Sequence, residues 1–233
     1  MRPNTKKLNF TIVGTDTNVG KTVVSLLLMK FLHKKGYQPK YLKPIQTGCQ
    51  TPHDSDSDAR FVYQHVSHLR QRNPDDSVIY CLPPPKAPWF AARNTNTDIQ
   101  MSHLQQQIQT RLQNKNPVVL EAAGGLFVPI TDKVLFIELL SPLDAIPILV
   151  ARAGLGTINH TLLSITAMIA ANMAPMGIIL SNPLSVPGQM VDENIEAIEQ
   201  FSNIPVMGVL DKIENFDHIS NDHLNIFRHV FQP

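Results

Sequence analysis

Apolar positions follow two rhythms along this chain. Six short runs are apolar without alternation: LNFTIVG from 8, KYLKPI from 40, PVVLEAAG from 117, AIPILVA from 145, MGIILSN from 176 and IPVMGVL from 204. Runs of this length and texture read as strands buried on both faces. Helical patterns lie between them. KTVVSLLLMKFLHKKG is apolar on most sides and closes on basic residues and Gly36, which are helix-stop signals. In TDIQMSHLQQQIQTRLQN, Leu104, Ile108 and Leu112 recur every four residues and give one apolar stripe. TINHTLLSITAMIAANM and PGQMVDENIEAIEQF supply two more helices.

Alternation of buried strands with helices predicts a doubly wound, mostly parallel α/β sheet with helices on both faces. Ligands of such sheets bind in the crevice beyond the carboxyl ends of the strands. The proline-rich CLPPPKAPW reads as a stiff connection and HDSDSDAR as an acidic loop running into a helix. Periodic structure resumes on both sides of each, so residues 1–233 read as one domain.

Composition narrows the partners. The chain has 233 residues, 43% hydrophobic and 17% charged, with a formal net charge of +1, so no basic field attracts nucleic acid or an anionic membrane. No apolar run approaches the ~20 residues of a membrane-spanning helix. The opening MRPNTKKLNFTIVG leads into a loop, not a cleavage site, so a cytoplasmic protein acting on small molecules is expected. Cys49 and Cys81 match no metal spacing and read as idle thiols. His160 reads as a packing or capping residue, and Trp89 as a pocket wall or a cover for the core.

Chemistry concentrates in VGTDTNVGKTVVS, residues 13–25. A strand, a tight loop and a helix opening at Gly20-Lys21-Thr22 form the context of a phosphate-binding loop, although Thr15 stands where its first glycine belongs and Gly14 lies one place earlier. Unpaired N–H groups at the helix start attract phosphate oxygens. Thr15, Asp16, Thr17, Asn18, Val19 and Gly20 would wrap the phosphates, Lys21 would reach the terminal ones, and Thr22 would ligate Mg²⁺. Polar side chains from Thr15 to Asn18 suggest a second ligand, hence transfer to a small acceptor. Glu121, ending an apolar strand, is a candidate metal carboxylate; Asp58 is a second, with Asp56 its rival, and solvated loop charge is the alternative reading of both. Lys43, just before Pro44, is a candidate second cation.

GTDTNVGKT, then KPIQTG, SDAR, LEAAGG and LGTINHTLL, resemble in order and spacing the dethiobiotin synthetase family, from about residue 10 to about residue 182. The resemblance implies a P-loop fold and an ATP- and Mg²⁺-dependent reaction. In it, 7,8-diaminopelargonate takes up carbon dioxide as a carbamate, the carbamate oxygen attacks the γ-phosphate of ATP, and the second amine closes the cyclic urea. It implies that Lys21 and Lys43 stabilise the transferring group, that Thr17 and Thr47 lie near diamine and carbamate beside Gly124, and that Thr22, Asp58 and Glu121 hold Mg²⁺. Asn182 matches a base-contacting asparagine. The segment Leu155 to Asn159, with Thr157, matches a helix start that reaches across a homodimer to the substrate's distal carboxylate.

The chain departs from the family pattern at four places. Asn18 replaces a frequent glutamate, Ala122 replaces a glycine and adds a methyl group near the substrate, Ala87-Pro88-Trp89 replaces SPH, and VMGVLDK lacks a proline at the base pocket. Two kinds of rival share the fold. Among enzymes, a partition-type ATPase usually carries a further lysine early in the loop, where Thr15-Asp16-Thr17 stands here, and an amidating synthase would usually bring a glutaminase domain; a nucleotide-binding regulatory module would have lost Lys21, Lys43 or Glu121, which are all present.

Overall fold

The computed structural model describes residues 8–231, so the ends of the 1–233 reading, including Lys6 and Lys7 of the opening segment, lie outside the described residues. Seven strands form one sheet: β1 (Phe10–Gly14), β2 (Lys40–Thr47), β3 (Val78–Leu82), β4 (Val118–Glu121), β5 (Ile146–Arg152), β6 (Gly177–Asn182) and β7 (Val206–Asp211). Their order is β3-β2-β4-β1-β5-β6-β7, and every pair is parallel. The helices are α1 (Lys21–Lys34), α2 (Asp58–His65), α3 (Pro88–Asn94), α4 (Met101–Leu112), α5 (Phe136–Leu140), α6 (Thr157–Ala170), α7 (Gly188–Ser202) and α8 (Asn221–Asn225).

The continuous apolar runs exist because each strand feeds two cores. Phe10, Ile12, Tyr41, Val119, Ile148, Val150 and Ile179 pack with α1, α2 and α8. Their chain neighbours Val13, Leu42, Val118, Leu120, Leu149, Ile178 and Leu180 pack with α3 to α7 on the other face. Side chains alternate across a strand, so a sheet covered on both sides needs apolar residues at every position.

All six strands expected from the sequence form. The seventh, β3, lies within and before the segment read as a connection; it is an edge strand, and four of its five residues are only partly buried. Helices α3, α5 and α8 are short, five to seven residues each, and offer too few turns for a periodic signal.

The chain leaves β1 toward β2 on one side of the sheet and crosses from β4 over β1 to β5 on the other. That reversal opens a crevice beyond the ends of β1 and β4. Pro44 fits there without disrupting the sheet. The β2–β4 ladder ends at Leu42 opposite Leu120, while β2 pairs with β3 from Lys43 onward, so the N–H that proline lacks lies past the β4 ladder.

Candidate active site

The loop from Gly14 to Lys21 is shaped by its backbone. Asn18 (φ 57°) and Gly20 (φ 98°) both lie in the left-handed region, which asparagine tolerates better than other side chains and glycine enters freely. A Cβ on Gly20 would stand 2.8 Å from Ser181 Oγ, and one on Gly14 would stand 2.8 Å from Val19 Cγ2 and 3.0 Å from Lys21 Cδ. The displaced glycine therefore keeps its use, giving Val19 and Lys21 room to fold back over the strand exit. No side chain caps α1, so its first N–H groups face the loop's hollow.

Lys21 is buried and arches back, donating from Nζ to the Asp16 carbonyl at 2.7 Å. Burial, then the nearby charge of Lys43, lowers its pKa to about 8. At the loop's rim, Asp16 accepts from its neighbour's N–H in Thr17 and pairs with Arg152 at 2.7 Å. This contact is exposed and worth little by itself.

Below the loop five side chains converge. Thr22 Oγ1 lies 2.8 Å from both Asp58 Oδ1 and Glu121 Oε1, and its one proton serves one of them at a time. Lys43 Nζ lies 2.7 Å from Asp58 Oδ2 and 2.8 Å from Glu121 Oε1. Tyr41 donates its hydroxyl to Glu121 Oε2 at 2.8 Å. The sheet register sets this up: Glu121, the last residue of β4, sits opposite Ile12 in the middle of β1, with the Ala122 N–H on the Ile12 carbonyl. Asp58 opens α2 behind a Ser57 cap, where the helix dipole favours its negative charge.

For Lys43 and Asp58, pairing outweighs burial. Burial works against the charge on Lys43, but Glu121 and Asp58 outweigh it and raise its pKa, so Lys43 stays an ammonium. Burial likewise pushes Asp58 up, and the adjacent Lys43 and Thr22 bring it below its ordinary value. Tyr41 is held far above its usual pKa by burial and by Glu121, and remains a phenol that donates.

Asp58 and not Asp56 joins the cluster; Asp56 is exposed and bonds only its neighbour Ser55 at 3.2 Å. Among the described residues no three His, Cys, Asp or Glu side chains converge. The set is two carboxylates and a hydroxyl, hard oxygen donors of the kind that suit Mg²⁺ when phosphate oxygens and water complete its shell.

Thr17 and Gly124 face one another, since a Cβ on Gly124 (φ 70°) would lie 3.6 Å from Thr17 Oγ1. Thr47 ends β2 half-buried at the carboxyl end of the strand. The remaining sequence-derived positions are farther along the carboxyl edge. Leu155 and Asn159 are exposed, but Thr157 is buried with its hydroxyl 3.2 Å from that of Thr161 and its N–H on the Gly154 carbonyl. Asn182 is buried and committed within the protein, donating to Asp211 Oδ1 and accepting from the Val186 N–H, both at 2.8 Å.

Two expectations need correcting. Ala122 is 2% exposed and packs in the core, so its methyl group does not enter the site. His160 is exposed on the first turn of α6 and does not pack in the core. Trp89 is half-buried, its ring tilted against Phe90 and under Arg93. Sequence reasoning missed Tyr41, Arg152 and Asp211. Tyr41 was within reach: it stands two residues before Lys43, so alternation puts both on one face of β2.

A family model described as an AAA domain matches residues 9–220. The chain is 39% identical over 206 residues to the biotin biosynthesis bifunctional protein BioCD of Bordetella avium, covering 88% of this chain and 40% of that longer one. It is 33% identical to the ATP-dependent dethiobiotin synthetase BioD of Halalkalibacterium halodurans, over 96% of this chain and 92% of the relative. A BioD from Anoxybacillus flavithermus is 34% identical over 90% and 94%. Among solved structures, a putative plasmid partition protein of Borrelia burgdorferi bound to AMPPNP superposes with a TM-score of 0.61 at 13% identity, covering 97% of this chain and 98% of that one. The MinD cell division protein of Aquifex aeolicus gives 0.54 at 14%, over 94% and 86%. Those likenesses establish the P-loop fold, and the sequence relatives place the chain within it: it belongs to the ATP-dependent dethiobiotin synthetase family.

Proposed function

We propose that this chain, acting as one P-loop domain in the cytoplasm, carboxylates 7,8-diaminopelargonate with carbon dioxide and closes the cyclic urea of dethiobiotin at the expense of ATP. The observation that carries the site assignment is the convergence of Thr22, Lys43, Asp58 and Glu121 within 2.8 Å, directly beneath a phosphate-binding loop.

The loop N–H groups and Lys21 hold the triphosphate, and the Asp16 carbonyl keeps Lys21 aimed along the loop. Thr22, Asp58 and Glu121 would hold Mg²⁺, which when bound neutralises charge on the phosphate oxygens. Lys43 is a fixed ammonium in a dry setting, suited to gathering the carbamate and the transferring phosphoryl group as charge builds up. Thr17, Thr47 and Gly124 line the space beside it for the diamine. The work is gathering anions and aligning two amines, which positioning accomplishes without an acid–base pair.

We further propose a homodimer. Leu155 is 94% exposed just before α6, and Leu163 and Ile169 are large apolar side chains exposed on the outer side of that helix. Burying that face against a second copy would bring the Leu155–Asn159 helix start to the partner's substrate, whose distal carboxylate it would bind. The decisive experiment is mass spectrometry of a mixture of protein, MgATP, bicarbonate and 7,8-diaminopelargonate. Dethiobiotin is expected. ATP hydrolysis without diamine would favour an ATPase of the same fold, and tight nucleotide binding with no product would favour a regulatory module.

A further inference from the structure

The two cysteines, read as idle thiols 32 positions apart, are brought side by side, with Sγ atoms 3.6 Å apart. The β2–β3 ladder reaches Thr47 opposite Leu82 and continues through the Gly48 N–H to the Leu82 carbonyl at 3.0 Å. Gly48 then adopts φ +90°, which turns the chain back and sets Cys49 over Cys81, whose sulfur also lies 3.4 Å from the Cys49 carbonyl. Cys49 is 5% exposed and Cys81 half-buried, and neither belongs to the site described above.

We propose that Cys49 and Cys81 are a dithiol that a low-molecular-weight disulfide converts into an intramolecular disulfide, and that this bond reversibly slows turnover. Cys81, the less buried residue, attacks the oxidant's S–S bond as thiolate, and one small thiol leaves. Cys49 then attacks the mixed disulfide and expels the second. Two protein thiols lose two protons and two electrons, and the oxidant's bond is reduced to two thiols.

A disulfide needs ~2.05 Å between sulfurs, so the pair must close by ~1.5 Å. Cys81 is anchored inside the β2–β3 ladder, whereas Cys49 sits on the loop after it. Thr47 and Gly48 are tied to Leu82 by the same ladder, so the movement falls on Cys49 and on the segment leading to Asp58. This half of the proposal rests on the function assigned above, in which Asp58 faces the metal. A displacement of ~1 Å there costs up to ~10²-fold in rate. Burial raises the pKa of Cys49, and burial followed by the bond to Cys49 pushes Cys81 up to about 12. The pair thus rests as thiols at neutral pH and oxidises faster as pH rises.

The test is to incubate the reduced full chain with glutathione disulfide, block remaining thiols with an alkylating reagent, and measure intact mass, peptide map and turnover together. The expected result is a loss of two hydrogen atoms, no alkylation, and a Cys49–Cys81 cross-linked peptide. Turnover should fall at least ~10-fold and return with dithiothreitol. A Cys49→Ser/Cys81→Ser variant should turn over like the unmodified protein and ignore the oxidant. Stable mixed disulfides, disulfides between chains, or thiols still open to alkylation would overturn the pairing. A cross-linked enzyme with undiminished turnover would overturn the brake. Absence of dethiobiotin synthesis in the reduced protein would count against the proposed function, while the mass readout still decides the pairing.

Discussion

Lys43 of β2 and Glu121 of β4 form a buried ion pair, 2.8 Å between Nζ and Oε1, with the carboxylate fully removed from solvent. Asp58 completes the balance from the first residue of α2. Lys43 thus sits between two carboxylates, and their charges hold it as an ammonium against the cost of burial.

Removing Lys43 is therefore expected to cost stability as well as turnover. Lys43→Ala leaves Glu121 buried and uncompensated, and should cost about 3–5 kcal/mol in chemical denaturation. The double variant Lys43→Met/Glu121→Gln removes both charges and should recover most of that loss while staying inactive. Equal stability of the single and double variants would show that the pair is not the source of the cost.

Tyr41→Phe deletes the hydroxyl that satisfies Glu121 Oε2. An acceptor stranded in the interior costs about 1–3 kcal/mol. Magnesium should also titrate activity differently in this variant, because Glu121 loses the group that fixes its orientation. An unchanged melting curve together with an unchanged magnesium dependence would remove Tyr41 from the site.

Asn18 and Gly20 are distinguished by backbone angle. Asn18→Gly should be close to neutral in stability, whereas Asn18→Val forces a β-branched residue to φ 57° and should cost about 1–2 kcal/mol. Gly20→Ala meets both φ 98° and the Ser181 hydroxyl, and should weaken nucleotide binding as well as stability, as read by calorimetry.

The pH profile follows from Lys21. Its pKa in the free protein is lowered to about 8, so kcat/KM should fall as pH rises through that value and the loop loses its charge. Bound phosphates favour the ammonium, so the alkaline limb of kcat should lie higher. For stability the sign is opposite. Between about pH 8 and the ordinary lysine value of 10.5 the unfolded chain holds a proton on Lys21 that the folded chain has released, so this group makes the free protein more stable as pH rises. Stopped-time assays and melts across pH 6.5 to 10 would separate the two.

The strands, the long helices and the phosphate loop were legible because they are local patterns: doubled apolar faces, a four-residue stripe, and a glycine-lysine-threonine triplet after a strand. Lys43, Asp58 and Glu121 were legible as strand-end or helix-start charges. What stayed hidden depends on register. Nothing local shows that Cys49 will lie over Cys81, since that contact is made by parallel pairing plus one left-handed glycine. Asp211 as the partner of Asn182 arises from the β6–β7 register, and the inward turn of Thr157 arises from Thr161 one helical turn later. β3 was missed because an edge strand keeps one side open and so lacks the doubled apolar signature.

The most direct test of the assigned chemistry is phosphate release measured against dethiobiotin formed, with each reactant omitted in turn. Release is expected only when ATP, magnesium, bicarbonate and 7,8-diaminopelargonate are all present, in equal molar amount to dethiobiotin. Phosphate released at the same rate without the diamine would contradict it.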